Sequence, residues 1–166
     1  MNIREALLAE HSKKRTMEIV DFIGDDPVRF GQLMKVFFAG PYRVTQRAAW
    51  PMNYCVERRP KLVQPYLKKL VAELENDDAH DAVRRNILRL LQYVEIPARL
   101  KGRLYSICLD LIEDLAQPVA VKVFAITVAR KIGENEPALM GELQLVVKKH
   151  LPHNSVAFHK RAREVF

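Results

Sequence analysis

The stretch LKKLVAEL, residues 67–74, decides how this chain folds. Its apolar residues Leu67, Leu70, Val71 and Leu74 are spaced i, i+3, i+4, i+7, which puts them on one face of a helix. The same spacing occurs in FGQLMKVF (30–37), at Phe30, Leu33, Met34 and Phe37. It occurs again in LYSICLDL (104–111), at Leu104, Ile107, Cys108 and Leu111. An offset of 37 residues separates position 30 from 67 and 67 from 104, and all twelve slots are apolar. A helix with one apolar face cannot cover that face alone, but a row of copies covers one another. A period of this size therefore predicts stacked helical hairpins.

Turn residues agree with the period. Gly24-Asp25-Asp26-Pro27 reads as a helix end, a capping aspartate and a proline at the first helical position. Gly40-Pro41, Arg59-Pro60, Ile96-Pro97, Gln117-Pro118 and Glu136-Pro137 mark further helix starts. Asn76-Asp77-Asp78 and Pro152-His153-Asn154-Ser155 supply capping residues between them. The expected organisation is a single domain, 1–166, with an N-terminal cap over 1–24 and hairpins at 27–58, 60–95, 97–134 and 137–166. In the cap, Ile3, Leu7, Met17, Val20 and Ile23 form an apolar stripe, and the polar stretch His11 to Arg15 predicts a break. Pro51 lies inside a helical pattern running from Tyr42 to Arg58, where an unadapted helix loses about 3 kcal/mol. A kink or short break at Trp50-Pro51, offset by burial of Trp50, is the expectation.

The second helices repeat as well, at Trp50, Ile87, Ala125 and Ala162. Three residues before each stands a basic or imidazole side chain: Arg47, Arg84, Lys122 and His159. The last repeat is degenerate, as a terminal one often is: after Leu143, Val146 and Val147 its fourth slot holds His150.

With 166 residues and 49% apolar composition, the chain has enough apolar surface for a core and is not disordered. Six glycines leave little room for the turns of an all-β protein. The opening Met1-Asn2-Ile3-Arg4-Glu5 predicts no signal peptide, and the longest apolar run, Val123 to Ala129, is too short to span a bilayer. The two cysteines, Cys55 and Cys108, make no disulfide framework, and reduced thiols in a cytoplasmic protein are expected. A net charge of +7 allows two readings: solvated outer faces, or attraction to a polyanion such as nucleic acid.

Leu62 to Val94 resembles the HEAT-repeat family. Leu62-Val63-Gln64-Pro65-Tyr66-Leu67 followed by Leu70-Val71 is similar to the family's first helix, with Pro65 where that family tolerates a proline. The family's turn aspartate followed six residues on by Val-Arg is matched by Asp78 and Val83-Arg84. Val121-Lys122 looks like the same element, and it fades to Gln46-Arg47 and Phe158-His159 at the two ends. The resemblance covers most of residues 27–166. It implies an all-α, right-handed α-α superhelix (a HEAT/armadillo-like solenoid) of about four hairpins plus the cap. DNA alkylation repair proteins stack HEAT-like hairpins behind a basic concave surface, and the similarity to them is one of architecture. Here the one tryptophan, Trp50, has no second aromatic and acidic group to stand opposite it.

Each polar cluster has a competing structural explanation. The ladder Arg47, Arg84, Lys122, His159 either neutralises an anionic partner or, as the resemblance implies, pairs with turn aspartates such as Asp78 and Asp114. Arg85, Arg89, Lys160, Arg161 and Arg163 are freer candidates for a basic patch. Asp77, Asp78, His80 and Asp81 sit where a helix needs capping, which outweighs a metal site. His150, His153 and His159 lack a neighbouring cysteine and flank a proline turn, so a solvated loop outweighs a zinc site. No nucleophile elbow, phosphate loop, His-Glu-x-x-His or Cys-x-x-Cys motif is present.

The resulting expectation is a non-enzymatic module without catalytic residues, metal or cofactor. It would bind a protein partner through the ridge of second helices, with Arg47, Arg84, Arg85, Arg89, Lys122, Lys160 and Arg161 as the binding residues. The alternative is a nucleic-acid-binding relative of the same architecture; no membrane contact is expected. Val165 and Phe166 end the last helix on apolar residues, which either fold back on Ala157 and Val147 or serve self-association.

Overall fold

The computed structural model describes every residue, Met1–Phe166, and contains helices, turns and no strand. By contacts the chain divides into two compact units, Met1–Leu67 and Lys68–Phe166.

In the first unit, α1 (Ile3–Ala9) and α2 (Lys13–Ile23) are followed by α3 (Pro27–Ala39) and α4 (Tyr42–Arg58). A 3₁₀ segment, Pro60–Tyr66, closes it. The predicted cap is thus itself a pair of short helices, broken at Glu10–Ser12, with the Ser12 side chain accepting from the Arg15 amide at 3.1 Å. Gly24 takes φ +56°, a conformation that non-glycine residues rarely adopt, and so ends α2. Asp26 then accepts from the amides of Val28 (2.8 Å) and Arg29 (3.2 Å), with Pro27 at the first helical position. Gly40 is needed for closeness rather than dihedral freedom: a Cβ there would lie 2.8 Å from the Val36 carbonyl oxygen. The Thr45 hydroxyl lies 3.0 and 3.1 Å from the Phe37 and Gly40 carbonyl oxygens, so its single proton serves one of these acceptors at a time or is shared between them at the end of α3.

The expected short break at Trp50-Pro51 and the burial of Trp50 need correction. α4 runs unbroken from Tyr42 to Arg58, Pro51 is buried within it, and Trp50 is only half-buried, under the His11 ring at 5.3 Å. Two residues on, the Asn53 side-chain amide donates to the Ala49 carbonyl at 2.9 Å, while the carbonyl that Pro51 leaves without a helical donor is that of Arg47, four residues back.

The second unit holds α6 (Asp81–Leu91), α7 (Ala98–Glu113), α8 (Val119–Gly133), α9 (Pro137–His150) and α10 (Val156–Val165), preceded by α5 (Leu67–Leu74), whose first residue is the boundary. Prolines stand at or just before the first residue of α7, α8 and α9, where their missing N–H costs nothing. α8 is the centre of this unit and packs on α6, α7, α9 and α10. Its composition explains that role: Ala125 and Ala129 let neighbouring backbones approach, while Ile126, Val128 and Ile132 fill the space between them. All twelve repeat slots are buried, from Phe30 and Leu104 at 0% exposure to Leu111 at 7%. Burying each large apolar side chain contributes about 1.5–3 kcal/mol. The core of both units is therefore the periodic pattern itself.

Candidate interaction surface

Two of the four ladder side chains, Arg47 and Arg84, are held by backbone carbonyls rather than by turn aspartates. The Arg47 guanidinium donates to the Leu7 and Leu8 carbonyls at 2.8 and 3.2 Å, in the last turn of α1. Arg84 donates to the Asn76 carbonyl at 2.7 Å, just past α5. Arg47 thereby serves acceptors that the end of α1 leaves open, while the Asn76 carbonyl also accepts from the Ala79 amide at 3.0 Å; the charge of each cation suits the negative end of the helix it reaches. Asp78 is not the partner of Arg84; the closest carboxylate is that of Asp81, at 3.8 Å and largely exposed.

Lys122 is 2% exposed and makes no ion pair. Burial depresses its pKa below the usual lysine range, and the Asp114 carboxylate only partly opposes that. Asp114 accepts from the Gln117 side-chain amide and the Ala116 amide, each at 2.9 Å. These bonds, with the nearby charges of Lys122 and Arg84, hold its carboxyl below the usual range. His159, the last rung, is half-buried beside Phe166 and is not held in the same way.

The remaining candidates divide. Arg161 donates to the Thr127 hydroxyl and pairs with Glu164 at 3.2 Å, and Lys160 reaches the same carboxylate at 3.9 Å. Arg85 is exposed and Arg89 half-exposed on α6, and neither meets a carboxylate. Val123 and Phe124 lie half-exposed on α8, which packs against α6. Sequence reasoning missed Lys131, whose ammonium donates to the Gln92 and Val94 carbonyls at 2.9 and 2.5 Å, closing the end of α6. Its position falls off the 37-residue register of the ladder, so no repeat signal marks it.

Reactive groups are few. Burial pushes the Cys55 thiol up to about 12 and the Cys108 thiol higher still, which leaves both unreactive near neutral pH. No three His, Cys, Asp or Glu side chains converge to hold a metal ion. His80 instead caps α6, its ring accepting from the Ala82 amide at 3.2 Å. No helix is long and apolar enough to cross a membrane.

Paired helices with buried periodic seams and polar stitching at helix ends define an all-α helical-repeat scaffold. The chain belongs to the HEAT-repeat family: the model for the HEAT repeat domain matches residues 3–164. That family is generally a scaffold fold that mediates protein interactions. No curated protein and no solved structure gives a significant match to the chain.

Proposed function

We propose that this protein is a non-enzymatic interaction module that binds an acidic face of a protein partner through the second helices α6 and α8. The observation that carries the reading is the contrast between neighbours on α6. Arg84 is buried and bonded to a carbonyl, while Arg85 and Arg89 face outward with no carboxylate to neutralise them. Arginines without a carboxylate partner on α6, and half-exposed Val123 and Phe124 on α8, which packs against it, offer a planar hydrogen-bonding fork and apolar contact area, the composition that dominates binding energy at protein interfaces. Arg47, Arg84 and Lys122 then shape the scaffold, and Lys160 and Arg161 add positive potential from α10. The unreactive thiols and the absence of a catalytic motif support the non-enzymatic part of the reading.

The test is affinity capture from the native cell with the wild-type chain and with an Arg85→Glu/Arg89→Glu variant. A reproducible companion is expected with the wild type and is expected to be lost with the variant. Retention of the same companions by both proteins sinks the reading. Binding to short DNA or RNA that strengthens at low salt and vanishes in the variant would favour nucleic acid as the partner instead.

A further inference from the structure

The last two helices leave an apolar groove uncovered. Its walls are Val147 and Leu151 on the α9 side and Phe166 after α10, and they are almost wholly carbon. The cavity volume is about 250 Å³. Pockets for drug-sized ligands start at about 300 Å³ and are more enclosed, so this groove suits one or two anchoring side chains better than a small molecule.

The charged side chains on the rim are both cations: Lys148 and Arg163 line the groove beside His159, and no Asp or Glu side chain does. The nearby carboxylates are engaged elsewhere: Glu164 pairs with Lys160 and Arg161, and Glu113 lies 3.5 Å from Lys149. Lys148 and Arg163 are exposed and stand without an ion-pair partner. An apolar slot between two helices with cations on its edges matches the helix-in-groove mode, in which an amphipathic helix inserts residues at i, i+3/i+4 and i+7.

We infer that the α9–α10 groove is a docking site for an acidic amphipathic helix of a partner protein. Charge decides against a second copy of this chain related by two-fold symmetry, because that would set Lys148 and Arg163 against their own copies. An acidic helix supplies the missing carboxylates at the rim and covers the apolar floor. The site lies on α9 and α10, so it stands independently of the α6–α8 surface.

The probe is a fluorescein-labelled synthetic helix with leucines at i, i+4 and i+7 on one face and glutamates and alanines elsewhere. A second probe carries lysine at every glutamate. Fluorescence anisotropy with the full chain is expected to give a dissociation constant on the order of 10 μM for the glutamate helix, and at least ~10-fold weaker binding for the lysine helix. Lys148→Glu/Arg163→Glu should reverse that preference, and Phe166→Ala should weaken the glutamate helix ~3-fold or more. All three side chains are substantially exposed, so the variants are expected to keep the wild-type thermal midpoint, which circular dichroism checks. No binding by either helix, equal binding of both, or an affinity unchanged by the double reversal overturns the inference. A dimer seen by sedimentation that is lost in Phe166→Ala, with no helix bound, assigns the groove to a second copy instead.

Discussion

The hairpins α7–α8 and α9–α10 come from the same repeat and sit in the same compact unit, yet they finish differently. α7 fills its four slots with Leu104, Ile107, Cys108 and Leu111, all buried. α9 offers Leu143, Val146, Val147 and His150, of which Val146 is only half-buried and the last is an imidazole. α8 is covered on several sides and buries Val121, Ala125, Ile126, Val128, Ala129 and Ile132. α10 buries only Phe158 and Ala162, and Leu145 on α9 and Val156 on α10 stand open at 71% and 80% exposure. In a stack each hairpin takes its stability from neighbours on both sides. A hairpin covered on one side keeps less stability and more free surface, and that free surface is what binding requires.

The largest test of this contrast is a pair of truncations. Leu104→Ala removes a fully buried side chain that faces packed neighbours, and is expected to cost about 2–5 kcal/mol. Leu145→Ala, the same change on the exposed side of α9, is expected to stay within about 0.5 kcal/mol. Urea denaturation of both variants measures the difference, and equal losses would mean that the terminal hairpin is covered as fully as the one before it.

The legible part of the fold was the part written in periodicity. Phe30, Leu67 and Leu104 could be aligned because apolar type, helical spacing and a fixed offset all coincide, and each is buried. The ladder was legible in residue type but not in partners. Arg47 and Arg84 reach backbone carbonyls, which every residue carries and which therefore leave no trace in composition. Lys131 performs the same service off the register and gave no signal at all. Trp50 misled because a large aromatic in a core slot suggests burial, whereas its slot opens toward His11 and the proline after it is the buried residue. The groove at the end was half legible: Phe166 drew notice as an apolar terminus, but its basic rim depends on which carboxylates Lys160 and Lys149 had already engaged.

His150 sharpens the comparison through pH. Its ring is buried, neither nitrogen has a hydrogen-bond partner, and Glu113 stays 4.0 Å away. Burial, with the nearby charges of Lys149, Lys122 and His153, lowers its pKa below the ordinary value of 6.5, and Glu113 only partly opposes this. The unfolded chain then binds the proton more tightly than the folded one. This contribution to stability is complete above pH 6.5 and declines as pH falls from 6.5 toward the lower folded value. His150→Leu restores the apolar slot found at Leu111. It is expected to raise stability by about 1–2 kcal/mol at neutral pH and to flatten the decline below 6.5. A decline unchanged by the substitution would place the acid-sensitive group elsewhere.

The smallest expected effect concerns the polar tie between the two hairpins. Tyr105 on α7 donates its hydroxyl to the Leu139 carbonyl on α9 at 2.6 Å, and the residue is 5% exposed. Burial and the adjacent Glu142 carboxylate push its pKa up to about 12, so the phenol keeps its proton and remains a donor throughout the neutral range. Leu139 lies in the first turn of α9, where a lost donor leaves a carbonyl already engaged within the helix and able to go without a second bond. Tyr105→Phe keeps the packed ring and removes only the hydroxyl, so the expected cost is about 0.5–1.5 kcal/mol. Because the bond ties α9 to α7, the loss should fall more on the terminal hairpin than on the one it stacks against. Amide hydrogen exchange reads this directly: faster exchange is expected across α9 and α10 in the variant, with α7 and α8 close to wild type. Uniform acceleration across all four helices would show that they open as one cooperative unit and that the terminal hairpin has no separate stability.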